Sequence, residues 1–245
     1  LMGGQKVREA VKVAAWTRPA SPEHFRSEVR RAADQGYMVF KMHSCTYHDI
    51  IEQTRMAEEV APEGFKIHWD FNGRRTMAAA LPLIKQLERD HPIVGFIEEP
   101  VARSDLTGWR MVREQTGIPI VMHVPQLGGI QEVVHQVADI FMIDAGGLGL
   151  ARGLAYSQLN IQTIIQHGAG TLGKALALHT AAVLPTADGH SINLDDQYEE
   201  DYTTDTIPVI EGYSPVPEGI GLGFEVDDDT IARMAANTPI EQPRF

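Results

Sequence analysis

Lys66-Ile-His-Trp-Asp70-Phe-Asn72, Gly95-Phe-Ile-Glu98-Glu99-Pro100 and Ile118-Pro-Ile-Val-Met-His123 are three short apolar runs, each ending on an acid or an imidazole. Their terminal polar residues lie about 25 to 28 positions apart, the pitch of successive strand–helix units. In a parallel barrel that pitch delivers the end of every strand to one rim, where active sites are built. Potential metal ligands at matching heights on three adjacent strands describe one divalent-cation site, and the chain reads as a metal-dependent enzyme.

Working outward, eight strand-like runs can be placed: Val11–Trp16, Tyr37–His43, Phe65–Phe71, Ile93–Glu99, Pro119–Val124, Ile140–Asp144, Ile161–His167 and Ser191–Asp195. Most are continuous apolar runs, as expected of strands covered on both faces. Helical segments with apolar residues at three- and four-residue spacing fill the gaps. The first runs from Pro22 to Gln35, with Ser21 as N-cap and Gly36 as stop. The others are His48–Val60, Arg75–Arg89, Leu106–Thr116, Gly129–Val137, Gly149–Gln158 and Leu172–Leu184. Unbroken alternation favours a parallel α/β barrel over an open sheet. After the eighth run the pattern stops, in an acid-crowded stretch from Asp195 to Asp205. The expected organisation is a barrel over residues 1–207, followed by a Pro- and Gly-rich segment, 208–245, that packs back on the barrel or on a capping domain.

With 245 residues, 43% of them apolar, the chain can bury a substantial core. A net charge of −12 argues against nucleic-acid or anionic-membrane partners. No apolar stretch approaches the roughly 20 residues that span a bilayer. Cys45, the sole cysteine, excludes an intrachain disulfide and fits a reducing compartment, so the expectation is a soluble, cytoplasmic protein. The chain opens on Leu1-Met2-Gly3-Gly4 and enters its first strand within about ten residues, too few for a separate leading domain.

Two glycine-rich turns imitate nucleotide motifs. Gly168-Ala-Gly-Thr-Leu-Gly173-Lys174-Ala175 nearly matches a phosphate-binding loop, but Ala175 has no hydroxyl to offer magnesium. An anion-binding turn at a helix start is the reading left to it. Gly147-Leu-Gly149-Leu-Ala-Arg-Gly153 is one residue too long for a dinucleotide fingerprint, and reads as a tight turn. Cys45 beside His43 reads as an inert packing residue.

What survives is the rim. Side chains two apart on a strand share a face, so Asp70 pairs with His68 and His43 with Lys41. Asp70 and Glu98 are hard oxygen ligands suited to magnesium or manganese, with His123 completing the trio. Strands six and seven end in Asp144 and His167, an acid placed to orient an imidazole. Lys41 and His43 can each carry a proton. A cation flanked by proton-transfer groups suits removal of a proton next to a carboxylate, the cation holding the enediolate charge.

These residues resemble the enolase superfamily, and within it the mandelate racemase and muconate lactonizing enzyme group. The resemblance rests on Asp70-Phe-Asn72, Glu98-Glu99-Pro100, Asp144 followed by Gly146-Gly147, His167, and the closing turn Pro217-Glu-Gly-Ile-Gly-Leu-Gly223. It implies a modified (β/α)7β barrel of the TIM type, here without the usual N-terminal capping domain, and symmetric homo-oligomers. By that resemblance Asp70 and Glu98 are metal ligands, Glu99 a supporting acid, and His123 stands at the third ligand position. Lys41 matches the first lysine of a strand-two pair whose second member is His43 here. Asp144 with His167 matches a catalytic dyad, and Asp195, or else Asn193, falls near an acid that hydrogen-bonds the substrate carboxylate. A histidine as third ligand leaves the set one negative charge short, which admits Mn2+ or another divalent ion beside Mg2+, or brings Gln126 toward the ion.

The expected activity is dehydration of an acid sugar, a small carboxylate substrate. Lys41 or His43 would act on one face and His167 on the other, with base and acid interchangeable. A racemase, epimerase or cycloisomerase using the same enediolate is the alternative. A metal-binding barrel that binds sugar acids without catalysis is a reading of another class.

Overall fold

The computed structural model describes residues 2–123, 125–198 and 201–237. Eight strands alternate with seven helices: β1 (Ala10–Thr17), α1 (Pro22–Asp34), β2 (Val39–His43), α2 (Ile50–Glu58), β3 (Lys66–Asp70), α3 (Met77–Asp90), β4 (Val94–Glu98) and α4 (Leu106–Gln115). They continue as β5 (Ile120–Met122), α5 (Ile130–Val134), β6 (Ile140–Asp144), α6 (Gly147–Gln158), β7 (Gln162–Gln166), α7 (Gly170–Ala182) and β8 (Ser191–Ile192). Each strand pairs in parallel with the next, and β1 pairs in parallel with both β2 and β8, so the sheet closes on itself. A short 3-10 helix, Asp195–Gln197, takes the place of an eighth α-helix. The fold is therefore the (β/α)7β barrel of the TIM type. Beyond it, β9 (Tyr213–Pro215) lies antiparallel on the first half of β1, and α8 spans Asp228–Asn237. The expected end of the fifth strand at Val124, and residues 238–245, lie outside the described residues.

Local chemistry sets the boundaries. The Ser21 hydroxyl accepts from the His24 N–H and Pro22 opens α1, while the Asp49 and Asp105 carboxylates cap α2 and α4. Gly36 ends the α1 segment at φ 91°, where a Cβ would meet the Val209 carbonyl at 2.8 Å. Only glycine admits both that left-handed backbone and the approach of the chain leading to β9.

Two apolar layers result from strand alternation. Phe40, Met42, Ile67, Trp69, Ile97, Ile120, Phe141 and Ile165 point outward and pack under the helices. Ala14, Val39, Val121, Ile140, Met142, Ile164 and Ile192 fill the lumen. The lumen-facing registers of β2, β3 and β4 then run into Lys41, His68, Asp70 and Glu98, all buried. The barrel axis is thus apolar on one side and ionic on the other. Among the described residues no helix is long and apolar enough to cross a membrane.

Candidate active site

Three strands place the centre of the site in register: His43 stands opposite Asp70 on β2 and β3, and Asp70 opposite Glu98 on β3 and β4. Lys41, one lumen position below His43 and 2% exposed, sends its ammonium between the two carboxylates, 2.7 Å from Glu98 Oε2 and 3.3 Å from Asp70 Oδ2. It also donates to Gln166 Oε1 at 3.3 Å across the lumen. His43 Nε2 lies 3.1 Å from Asp70 Oδ2, with its side chain 33% exposed and its ring edge-on to Trp16. Lys41 is sealed from solvent and His43 is open to it.

Burial governs the charges. Desolvation alone would lower the Lys41 ammonium, but Glu98 and then Asp70 outweigh it and hold its pKa above the ordinary value. Burial would likewise raise Glu98, yet Lys41, then His123 and His68, hold it well below the carboxylate range. Asp70 Oδ1 accepts from the Asn72 N–H at 2.7 Å, so Asp70-Phe-Asn72 closes as an Asx turn. Asn72, Glu99 and Leu194 adopt left-handed backbone, at φ 54°, 47° and 58°, just beyond β3, β4 and β8. Such strain on one rim is typical of functional sites.

Glu98 is the residue that calls for a cation. Apart from the Lys41 ammonium on Oε2, neither of its buried carboxylate oxygens has a hydrogen-bond partner among the described residues. His123 Nδ1 stands 3.5 Å from Oε1, and His68 Nε2 stands 2.8 Å from Oε2 but outside hydrogen-bond geometry. Two facing carboxylates fit a divalent ion of the kind that keeps several waters and binds through one or two acids. A complete three-ligand set does not form: among the described residues no three acids or imidazoles converge on one ion position.

The expected site residues fall into two groups. Lys41, His43, Asp70, Glu98 and His123 form one continuous chain of contacts. Asp144 and His167 do not join each other: among the described residues no hydrogen bond or ion pair links them. Asp144 is in register with Gln166, so alternation turns Gln166, not His167, into the lumen at the end of β7. His167 follows it, its N–H donating to the Ile192 carbonyl at 3.0 Å. Asp195 sits on the 3-10 helix and is held by the buried Lys174 at 2.8 Å, while Asn193 Oδ1 accepts from the Ser191 hydroxyl at 2.8 Å. Glu99 turns away from the lumen into a fork with Arg103, both contacts at 2.6 Å.

The glycine-rich turn before α7 has its anion built in: the Thr171 N–H donates to Asp201 at 2.8 Å, and Lys174 also donates to the Ile207 carbonyl. Gly146 and Gly147, at φ 66° and 41°, make the tight turn into α6. Two lumen groups escaped the sequence reading. Gln166 was signalled by its two-residue spacing from Ile164, and was overshadowed by the histidine beside it. His190 had no signal, since it precedes the eighth apolar run.

Comparison with known proteins agrees with this architecture. Residues 24–230 match the family model described as enolase C-terminal domain-like. D-gluconate dehydratase from Thermoproteus tenax is 27% identical over 266 aligned positions, 99% of this chain and 53% of that protein. The chain therefore spans about half the length of this curated relative. The barrel superposes on dipeptide epimerase from Cytophaga hutchinsonii, solved with Mg and the dipeptide D-Ala-L-Val, with a TM-score of 0.81 and 21% identity over 95% of this chain and 65% of that one. It superposes equally on a mandelate racemase/muconate lactonizing family protein from Azoarcus sp. EbN1, with a TM-score of 0.80 and 22% identity over 97% of this chain and 68% of that one. The chain belongs to the enolase C-terminal domain-like family.

Proposed function

We propose that this barrel is the catalytic part of a metal-dependent acid-sugar dehydratase. The observation that carries the reading is the buried Asp70–Lys41–Glu98 cluster, whose two facing acids sit at the rim beside the solvent-open His43. The likeness to D-gluconate dehydratase supports a sugar-acid substrate. Asp70 and Glu98 would hold Mg2+, with His123 the nearest third donor and Mn2+ an alternative ion. When bound, the ion supplies positive charge against the enediolate that forms as the proton next to the substrate carboxylate leaves.

The chain's own residues supply the proton chemistry. His43 is the exposed member of the strand-two pair, held beside Asp70 at 3.1 Å, and would take the α-proton. Lys41, charged between two acids, keeps Glu98 ionised and presents positive potential to a substrate carboxylate at the rim. From the rim just beyond the end of β7, His167 would deliver a proton to the departing β-hydroxyl. The C–O bond then breaks with loss of water, and the resulting enol becomes a keto-acid. Asp144 would serve this step by approaching His167 in the substrate complex, because catalytic hydrogen bonds often tighten only there. The test is turnover of D-gluconate and related sugar acids with Mg2+, read as keto-acid. Replacing His167 by Asn should lower kcat by about 10² to 10⁴-fold. Undiminished turnover in that variant would remove His167 from the mechanism.

Proton-transfer groups on two parts of the rim, His43 on β2 and His167 just after β7, also suit a racemase or epimerase. Solvent deuterium uptake into a carboxylate substrate without loss of water would favour that second reading.

A further inference from the structure

The lumen holds one neutral polar side chain beside the ionic cluster that the chemistry above leaves unused. Gln166 ends β7 at a lumen-facing position, in register with Asp144 on β6 and with Ile192 on β8. Its Oε1 accepts from Lys41 Nζ at 3.3 Å. Its Nε2 has no acceptor among the described residues, and it is not sealed from solvent.

Lys41 decides which way the amide faces. An ammonium carries three N–H groups and no acceptor, so the carboxamide turns its oxygen toward Lys41 and its NH2 away. The ammonium itself is fully occupied. Glu98 Oε2 at 2.7 Å, Asp70 Oδ2 at 3.3 Å and Gln166 Oε1 at 3.3 Å match its three N–H groups, and its side chain is 2% exposed. A ligand oxygen can touch Lys41 only by displacing one of these three. The Gln166 NH2 is a donor that a ligand reaches without displacing anything, and it stands next to the same positive charge. Water satisfies that NH2 while the rim is open. A ligand that covers the rim must bring an acceptor, or it leaves a buried donor unpaired. Beside an ammonium, the acceptor that fits best is an anionic oxygen.

We propose that Gln166 is a substrate-binding residue: its NH2 donates to the carboxylate of the sugar acid, with Lys41 holding the amide in the orientation to do so. This deepens the sugar-acid reading above and rests on it. Every sugar acid carries the carboxylate, so Gln166 contributes to affinity and not to the choice among sugars.

The test is the affinity of the wild-type chain and its variants, in Mg2+, for D-gluconate and D-galactonate, which differ in the configuration of a single hydroxyl. Titration calorimetry reads it as Kd from binding heat, or as KM from turnover heat. Gln166→Met, similar in length but without either polar atom, should weaken both acids by the same factor. The loss should be about 10 to 100-fold, the worth of one hydrogen bond to a charged group. Gln166→Glu, which keeps an oxygen on Lys41 and loses the donor, should weaken both further. Mg2+ affinity in Gln166→Met should stay within a few-fold of wild type. An amide that served only to hold Lys41 would instead lower Mg2+ affinity in Gln166→Met and leave acid binding intact in Gln166→Glu, which would overturn the role. Unequal losses for the two acids would put the contact on a hydroxyl and overturn the carboxylate assignment. A wild-type chain that binds neither acid would sink the sugar-acid reading, and this role with it. Normal wild-type binding with unaltered affinity in Gln166→Met would sink the role of Gln166 alone.

Discussion

Replacing Lys41 with Met tests the electrostatic core most directly. The side chains are similar in length, so the change removes a charge and leaves the packing nearly intact. Asp70 and Glu98 then remain buried and close together with no internal cation. Breaking a buried ion pair from one side costs about 3–5 kcal/mol, which for a domain of this size lowers Tm by about 6–20 °C. The loss should depend on pH in a definite sense. In the wild-type protein Glu98 is held below its ordinary value of 4.5, so its contribution is present above that pH and is lost as pH falls through the lowered value. In the variant, burial without Lys41 raises Glu98, and its ionisation penalises the folded state above about 4.5. The gap in Tm between the two proteins should therefore be wide at pH 7 and narrow below pH 4.5. Lys41 adds no slope there, because its raised pKa keeps it charged up to and beyond 10.5. A divalent ion at 100 times its Kd should restore about 2.7 kcal/mol to the variant. Thermal melts across pH, with and without Mg2+, read all three effects. A gap that does not change with pH, or that stays under about 1 kcal/mol, would refute the reasoning.

Glu98→Gln keeps the shape of the side chain and removes the acid. Mn2+ affinity measured by titration calorimetry should fall by more than the roughly 100-fold seen at best for outer groups. Arg103→Ala leaves the buried Glu99 carboxylate without its fork, in a left-handed backbone conformation. Because Arg103 is more than one-third exposed, urea unfolding should show a loss of about 1–2 kcal/mol, toward the lower end for charged hydrogen bonds. Gly149→Ala would place a Cβ 1.8 Å from the Asp144 carbonyl, so the turn from β6 into α6 must move. A stability loss of about 1–3 kcal/mol is expected by the same denaturation assay, and an unchanged midpoint would contradict the close packing of that turn.

The sequence by itself determined the barrel. The regular pitch of apolar runs and the helical spacing between them require parallel strands covered by helices, and the bounds of the eight expected strands fall within three residues of those observed. It also determined that Asp70 and Glu98 share one rim, because strand ends in a parallel barrel converge and the two-residue repeat fixes their face. Contacts across the lumen were beyond its reach, because they depend on strand register and on side chains from distant units. Only the tertiary structure placed Lys41 between both acids, turned Gln166 rather than His167 inward, and tied Asp195 to Lys174. It alone joined His68 to His190 across 122 residues. A strand's own pattern says which way a residue faces, but closure of the ring decides whom it meets.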